Sequence, residues 1–220
     1  MKKILTLLVV ATAALLCSGS VLSQALPEVR TGDKLTWLFT PYDENAKQIV
    51  PLPAKEEVAV LTINPANGDR EYTYTEGTKL VKNSQFGPKV ARDERVYNDK
   101  KMFNVLQGTP VVGQTWSLEA EENITSGQQA RCTKRQFSLS ATVLLGPTVT
   151  IRVRGVETLV KTLLIKQEGT RYYGVCLSGP ATFSYLYSPE LNEVVQVDYV
   201  SYFRTFVYKE SSKTTLRSID

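Results

Sequence analysis

The sequence predicts an all-β fold, a curved antiparallel sheet or an incomplete β-barrel. Three observations carry that expectation. Apolar and polar residues alternate in successive runs from about Lys34 to Tyr208, the pattern of strands with one buried face. No segment holds a helical period over three turns. Glycine, proline and asparagine punctuate the alternating runs where turns are needed.

Ahead of the strands, Lys2 and Lys3 precede an apolar run from Ile4 to Leu16 and the small-residue site Ser23-Gln24-Ala25. This is the pattern of a bacterial secretory leader, and the run is shorter than the roughly 20 residues a bilayer-spanning helix requires. Cleavage is expected near Ala25, with Ser20 and Ser23 as alternatives. Cys17 follows Leu15 and Leu16, and that bulky pair does not suit a lipobox. The expected product is a periplasmic or secreted chain without a transmembrane anchor. Residues 26–210 are read as a single β domain and residues 211–220 as a polar, frayed tail.

The first strand is expected after Gly32, around Trp37, and Gly113 precedes Trp116 in the same manner. That echo suggests two related halves meeting near Thr109-Pro110. Val58 to Ile63 and Arg70 to Thr75 read as a hairpin, because Asn67-Gly68 tolerates positive φ. Phe137, Leu139, Ala141 and Val143 alternate with Gln136, Ser138, Ser140 and Thr142, and Leu145-Gly146-Pro147 then turns the chain toward Val149, Ile151 and Val153 as a second hairpin. Val160 to Gln167, Tyr172 to Leu177 and Ala181 to Tyr187 form a meander with turns at Glu168-Gly169-Thr170 and Ser178-Gly179-Pro180. Val194 to Tyr208 continues as one bent strand or two, with Val195, Val197, Tyr199, Ser201, Phe203, Thr205 and Val207 on one face. Pro41 to Pro53, Asn83 to Asp93 and Glu122 to Ala130 read as irregular.

Composition removes several classes of function. The formal net charge of +4, from 26 basic and 22 acidic residues, falls to +2 when Lys2 and Lys3 leave, too balanced for a nucleic-acid surface. The chain has no histidine, which excludes Ser-His-Asp and Cys-His catalysis and zinc sites built on histidine. No phosphate-binding loop, nucleophile elbow, S-x-x-K pair or calcium-loop motif occurs. Neither a cofactor nor a catalytic residue is therefore expected. Cys132 and Cys176, the cysteines left after cleavage, are expected to form one disulfide in an oxidising compartment. Glu119 and Glu121 share a strand face and keep a carboxylate-dependent glycan hydrolase open as an alternative.

Half of the aromatic residues fall between Tyr172 and Tyr208. On a curved sheet, Tyr173, Phe183, Tyr185, Tyr187, Tyr199 and Phe203 would line a cavity for a lipid or other apolar ligand; the plainer reading is sheet core and cross-strand pairing. The segment Tyr185-Leu186-Tyr187-Ser188-Pro189-Glu190-Leu191-Asn192-Glu193-Val194-Val195 resembles the WYSPELG…VK motif of exported bacterial domains of unknown function. Asn192 stands where that motif has glycine, and Gln196 where lysine is common. The resemblance implies a fold like the half-open β-barrels of LolA/LolB-type lipoprotein carriers, and with it a hydrophobic ligand. A non-catalytic envelope protein is the functional expectation, with an envelope protein-interaction module as the other alternative.

Overall fold

In a computed structural model of the chain, the residues described are 26, 28–42, 50–66, 68, 70–74, 79–81, 109–123, 134–173, 177–202 and 209–220. All regular structure among them is strand: β1 (Lys34–Pro41), β2 (Lys55–Ile63), β3 (Arg70–Tyr74), β4 (Lys79–Val81), β5 (Thr115–Asn123), β6 (Lys134–Leu145), β7 (Val149–Val153), β8 (Val156–Val160), β9 (Leu163–Tyr173), β10 (Leu177–Ser188), β11 (Glu193–Tyr202) and β12 (Lys209–Ile219). They form one open sheet in the order β4-β3-β2-β1-β12-β11-β10-β9-β6-β5, and the β7–β8 hairpin attaches to β12. Every pairing is antiparallel except that of β7 with β12. Strands from both sides of Thr109-Pro110 thus share one sheet.

The expected tail is instead the central strand. One edge of β12 pairs with β1 from Leu35↔Ile219 to Pro41↔Ser212. Its other edge pairs with β11 as far as Gln196↔Thr215 and then, in parallel, with β7 at Ser218↔Arg152 and Ile219↔Val153. Ser211, Thr214, Leu216 and Ile219 are buried. The segment reads as polar because small hydroxyl residues fill much of its buried side, and threonine fits a pleated surface well.

Three further expectations are corrected. β6 and β7 do not form a hairpin: β6 lies between β5 and β9, whereas β7 pairs with β8 and β12. Leu145-Gly146-Pro147 is a corner, held by Gly146 N–H donating to the Thr162 carbonyl and Thr162 Oγ1 donating to the Pro147 carbonyl. Neither Glu168-Gly169-Thr170 nor Ser178-Gly179-Pro180 is a turn, because β9 runs straight through the first and β10 through the second. Val195 leaves the face of Val197, because the register shifts between Leu186 and Tyr187 and moves Val195 into another cluster. The β2–β3 hairpin is as expected, with Gly68 at φ 74° in its turn. The four alternating apolar residues of β6 are all buried.

The two glycine-before-tryptophan segments share a hydrogen-bond pattern. Gly32 N–H donates to the Leu61 carbonyl, and Leu61 N–H donates back to the Asp33 carbonyl; Gly113, Val143 and Gln114 repeat the arrangement. Both glycines have positive φ, 95° and 88°, a backbone that side chains disfavour. The two tryptophans enter separate clusters. Trp116 joins Phe137, Leu139, Val143, Ile165, Phe183, Tyr185 and their neighbours on β5, β6 and β9–β11. Trp37 joins Leu61, Tyr72, Ile151, Val153, Leu186, Val195, Leu216 and Ile219. Leu186 alternates with Tyr185 and Tyr187, so β10 carries one cluster on each face.

The expected Cys132–Cys176 disulfide lies outside the described residues. If the pair is oxidised as the sequence leads one to expect, the intact non-reduced mature chain should weigh two hydrogens less than the reduced chain. A second prediction follows from Gly169, where an added Cβ would sit 2.0 Å from the Ser138 carbonyl oxygen and 2.9 Å from Leu139 Cα. Because backbone cannot yield as a side chain end can, Gly169→Ala should cost about 3 kcal/mol or prevent folding. At Gly68, where no atom lies within 4 Å, alanine should cost about 1 kcal/mol through φ strain alone. Urea midpoints of the two variants check this.

Candidate functional site

Register builds the face that bears the predicted aromatic residues. Directly opposed residues share a face, so the pairings set out rows across β11, β10, β9, β6 and β5. One row reads Tyr199, Phe183, Gln167, Ala141, Trp116, and the next reads Ser201, Ala181, Gly169, Leu139, Leu118. Beyond these, Gly179, Arg171 and Phe137 oppose one another on β10, β9 and β6. On the other side lie Val197, Tyr185, Ile165 and Val143.

The small row makes room for rings. Phe183 stacks on Tyr199 with centroids 4.5 Å apart and meets Phe137 edge-on at 5.7 Å. Phe137 and Phe183 stand on opposite sides of the Gly169–Ala181 row, so their contact requires both to lean across it. Phe183 also lies parallel to Tyr185 at 6.3 Å. Such pairs add roughly 0.5–1.5 kcal/mol each beyond simple burial. Phe183, Tyr185, Tyr187 and Tyr199 are therefore brought together in one cluster. Only the backbone of Tyr173 is described, at the end of β9, and Phe203 lies outside the described residues. Tyr172 faces the opposite way and is exposed.

Polar groups are buried within this apolar face. Arg171 is fully buried; its Nη1 donates to the Tyr199 hydroxyl, and its guanidinium lies 5.7 Å from the Phe137 centroid and 5.8 Å from that of Tyr199. Delocalised charge over aromatic faces is a favourable way to bury arginine. Gln167 has no exposed surface, and neither its Oε1 nor its Nε2 has a hydrogen-bond partner. Ser201 Oγ is buried and unpartnered in the adjacent row. Alternation within Ile165-Lys166-Gln167-Glu168-Gly169-Thr170-Arg171 places Gln167 and Arg171 inside, but the expected turn at Gly169 interrupts that parity and hides both.

The Tyr185 to Val195 motif closes one end of the face. Ser188 Oγ accepts from Leu191 N–H at 3.2 Å, fixing the turn, and Asn192 adopts φ 51°. Asparagine tolerates that left-handed position, where the resembled motif has glycine. Its side-chain oxygen accepts from the Tyr187 hydroxyl at 2.8 Å. Ser188 thus serves the turn, whereas Glu190 is exposed. Glu119 is exposed on edge strand β5, opposite in face to Leu118; the side chain of Glu121 lies outside the description. Among the described residues, no group of three His, Cys, Asp or Glu side chains is placed to hold a metal ion, and no helix is long and apolar enough to cross a membrane.

No protein-family model and no curated protein matches the chain. Among solved structures, it is similar to the hypothetical lipoprotein YmcC from Escherichia coli, with a TM-score of 0.42 and 12% identity over 88% of this chain and 85% of that one. It is also similar to a candidate lipoprotein from Parabacteroides distasonis, with a TM-score of 0.37 and 12% identity over 87% of this chain and 97% of that one.

Tyr199→Phe removes the hydroxyl that accepts from Arg171, and loss of a hydrogen bond to a buried charge should destabilise the protein by about 1–3 kcal/mol. Tyr172→Phe, on the exposed face, should change stability by less than about 0.5 kcal/mol. Denaturant titration of the two variants checks the difference.

Proposed function

We propose that the mature chain is an exported, non-catalytic envelope protein that binds a largely apolar ligand carrying one polar group. Binding occurs at the aromatic face of β5, β6 and β9–β11. Export is supported by the N-terminal lysines, apolar run and small-residue site. The ligand reading is carried by Gln167, whose donor and acceptor are both buried among aromatic and aliphatic side chains without a partner. An unpaired buried amide costs about 1–3 kcal/mol, so its position makes physical sense where a ligand supplies the missing hydrogen bonds. Ser201 offers a third polar atom nearby, and the rings of Phe137, Phe183 and Tyr199 suit an apolar tail.

A second reading, an envelope protein-interaction module, is favoured by one surface feature. Val111, Val112, Leu144 and Leu145 are exposed together, because Gly113 N–H donates to the Val143 carbonyl and brings their two segments side by side. Capture of one stoichiometric partner, lost on Leu145→Glu, would favour that reading.

Mature protein purified from the periplasm without detergent should retain, in native mass spectra, an added mass that extracts into organic solvent. Gln167→Leu should reduce the retained fraction. A clean apo mass in the wild type, with Gln167→Leu more stable by about 1–3 kcal/mol, would contradict ligand binding there.

A further inference from the structure

Gln167 stands in the middle of the aromatic face. Within its row it lies between Phe183 and Ala141; the row on one side holds Tyr185, Ile165 and Val143, and the row on the other holds Ala181, Gly169 and Leu139. Its side chain has no exposed surface, and among the described residues neither terminal atom has a hydrogen-bond partner. Turning the amide over changes nothing, because the oxygen and the nitrogen are equally unpaired. Ser201 Oγ, a neutral hydroxyl buried in the Ala181 row, is also unpartnered. The fully buried carboxylate among the described residues, that of Glu193, is placed differently: its Oε1 accepts from Arg70 Nη1 at 2.5 Å and from the Tyr72 hydroxyl at 2.7 Å, so its charge is met by an opposite one.

We propose, building on the apolar-ligand reading above, that Gln167 recognises an amide or a hydroxyl set inside the acyl chain of the ligand. Its Oε1 needs a donor and its Nε2 needs acceptors. An ester or a ketone carries acceptors alone and would leave Oε1 dry. A charged group would exchange water for a neutral amide and apolar side chains, which compensate an ion poorly. Amides and hydroxyls are neutral and supply both functions. An anion would be drawn instead toward Arg171, four residues along β9 on the same face and about 13 Å away at the rise of a strand.

Position sets where that group lies along the ligand. Apolar rows flank Gln167 on both sides, so a chain that crosses it meets Tyr185, Ile165 and Val143 on one side and Leu139 and Phe137 on the other. A polar group at the tip of a ligand would leave one of those sides uncovered. Gly169 and Ala181 have little side chain of their own and make a low lane beside Gln167, spanned by the edge-on contact of Phe137 with Phe183 at 5.7 Å. An acyl chain laid in that lane exchanges the contact between rings for contacts of chain with ring, one apolar partner for another.

The test uses the full mature chain and three matched probes supplied from cyclodextrin: N-butyldodecanamide, butyl dodecanoate and hexadecanoate. The first two differ only in N–H against oxygen at an internal linkage; the third moves the polar group to the end and charges it. Binding is read from the fluorescence of Trp116, which ends the Gln167 row, whereas the other tryptophan, Trp37, lies in the second cluster. The amide should bind about ten- to a hundredfold more tightly than the ester, because the ester leaves a buried acceptor unpaired. Gln167→Leu should abolish the difference, and Gln167→Met carries the comparison if the leucine variant does not fold. Equal affinity for amide and ester would overturn the proposal while leaving an apolar ligand in place, and so would tighter binding of hexadecanoate, which would point to Arg171. A preference for the amide that survives loss of the Gln167 side chain would overturn the role given to that residue. Binding of none of the three would overturn the apolar-ligand reading and this proposal with it.

Discussion

The structure depends on the backbone ladder of β12. Among the described strands, this one alone pairs with three others, β1, β11 and β7, so it joins the N-terminal strands to the aromatic-bearing strands and anchors the β7–β8 hairpin. A strand hydrogen-bonded on both edges satisfies its buried amides and carbonyls completely, whereas leaving either edge open inside the protein would cost heavily. Ile219 packs in the cluster of Trp37, Ile151 and Val153. On β12, Thr214 opposes both Phe39 of β1 and Val197 of β11.

Everything at the candidate site follows from the register that this ladder helps to set. β11 sits on β12, β10 on β11 and β9 on β10, and this sequence of pairings places Tyr199, Phe183 and Gln167 in one row. Gly169 permits β9 to approach β6 more closely than a Cβ would allow, and the aromatic rings cover the small residues beside it. The register shift at Leu186/Tyr187 has the opposite role. It sends Val195 into the other cluster and delivers Glu193 to Arg70 and Tyr72. One irregularity thus separates an aromatic face from an ionic clasp.

Much of the fold was legible in the alternation of β6 and in the Asn-Gly turn between β2 and β3, because both are local signals of burial and φ. What escaped was set by distant partners. Gly169 carries a turn signal in sequence, but its reason is contact with Ser138 on another strand. Ser211 to Asp220 carries little apolar character, and its burial comes from having neighbours on both edges. Among the site residues, Phe183, Tyr185, Tyr187 and Tyr199 were found by aromatic density. Gln167 and Arg171 were missed because polar side chains inside a strand are visible only when its parity is followed unbroken. Glu193 is separated from Arg70 and Tyr72 by over a hundred residues of chain, and no local pattern links it to them.

Native-state hydrogen exchange of residues 211–219 tests the central claim most directly. If β12 is the seam of the sheet, these amides should exchange as slowly as those of β9 and β10, with opening that requires global unfolding. Exchange near the rate of an unstructured peptide, with β9 and β10 still protected, would contradict a structure organised around that strand.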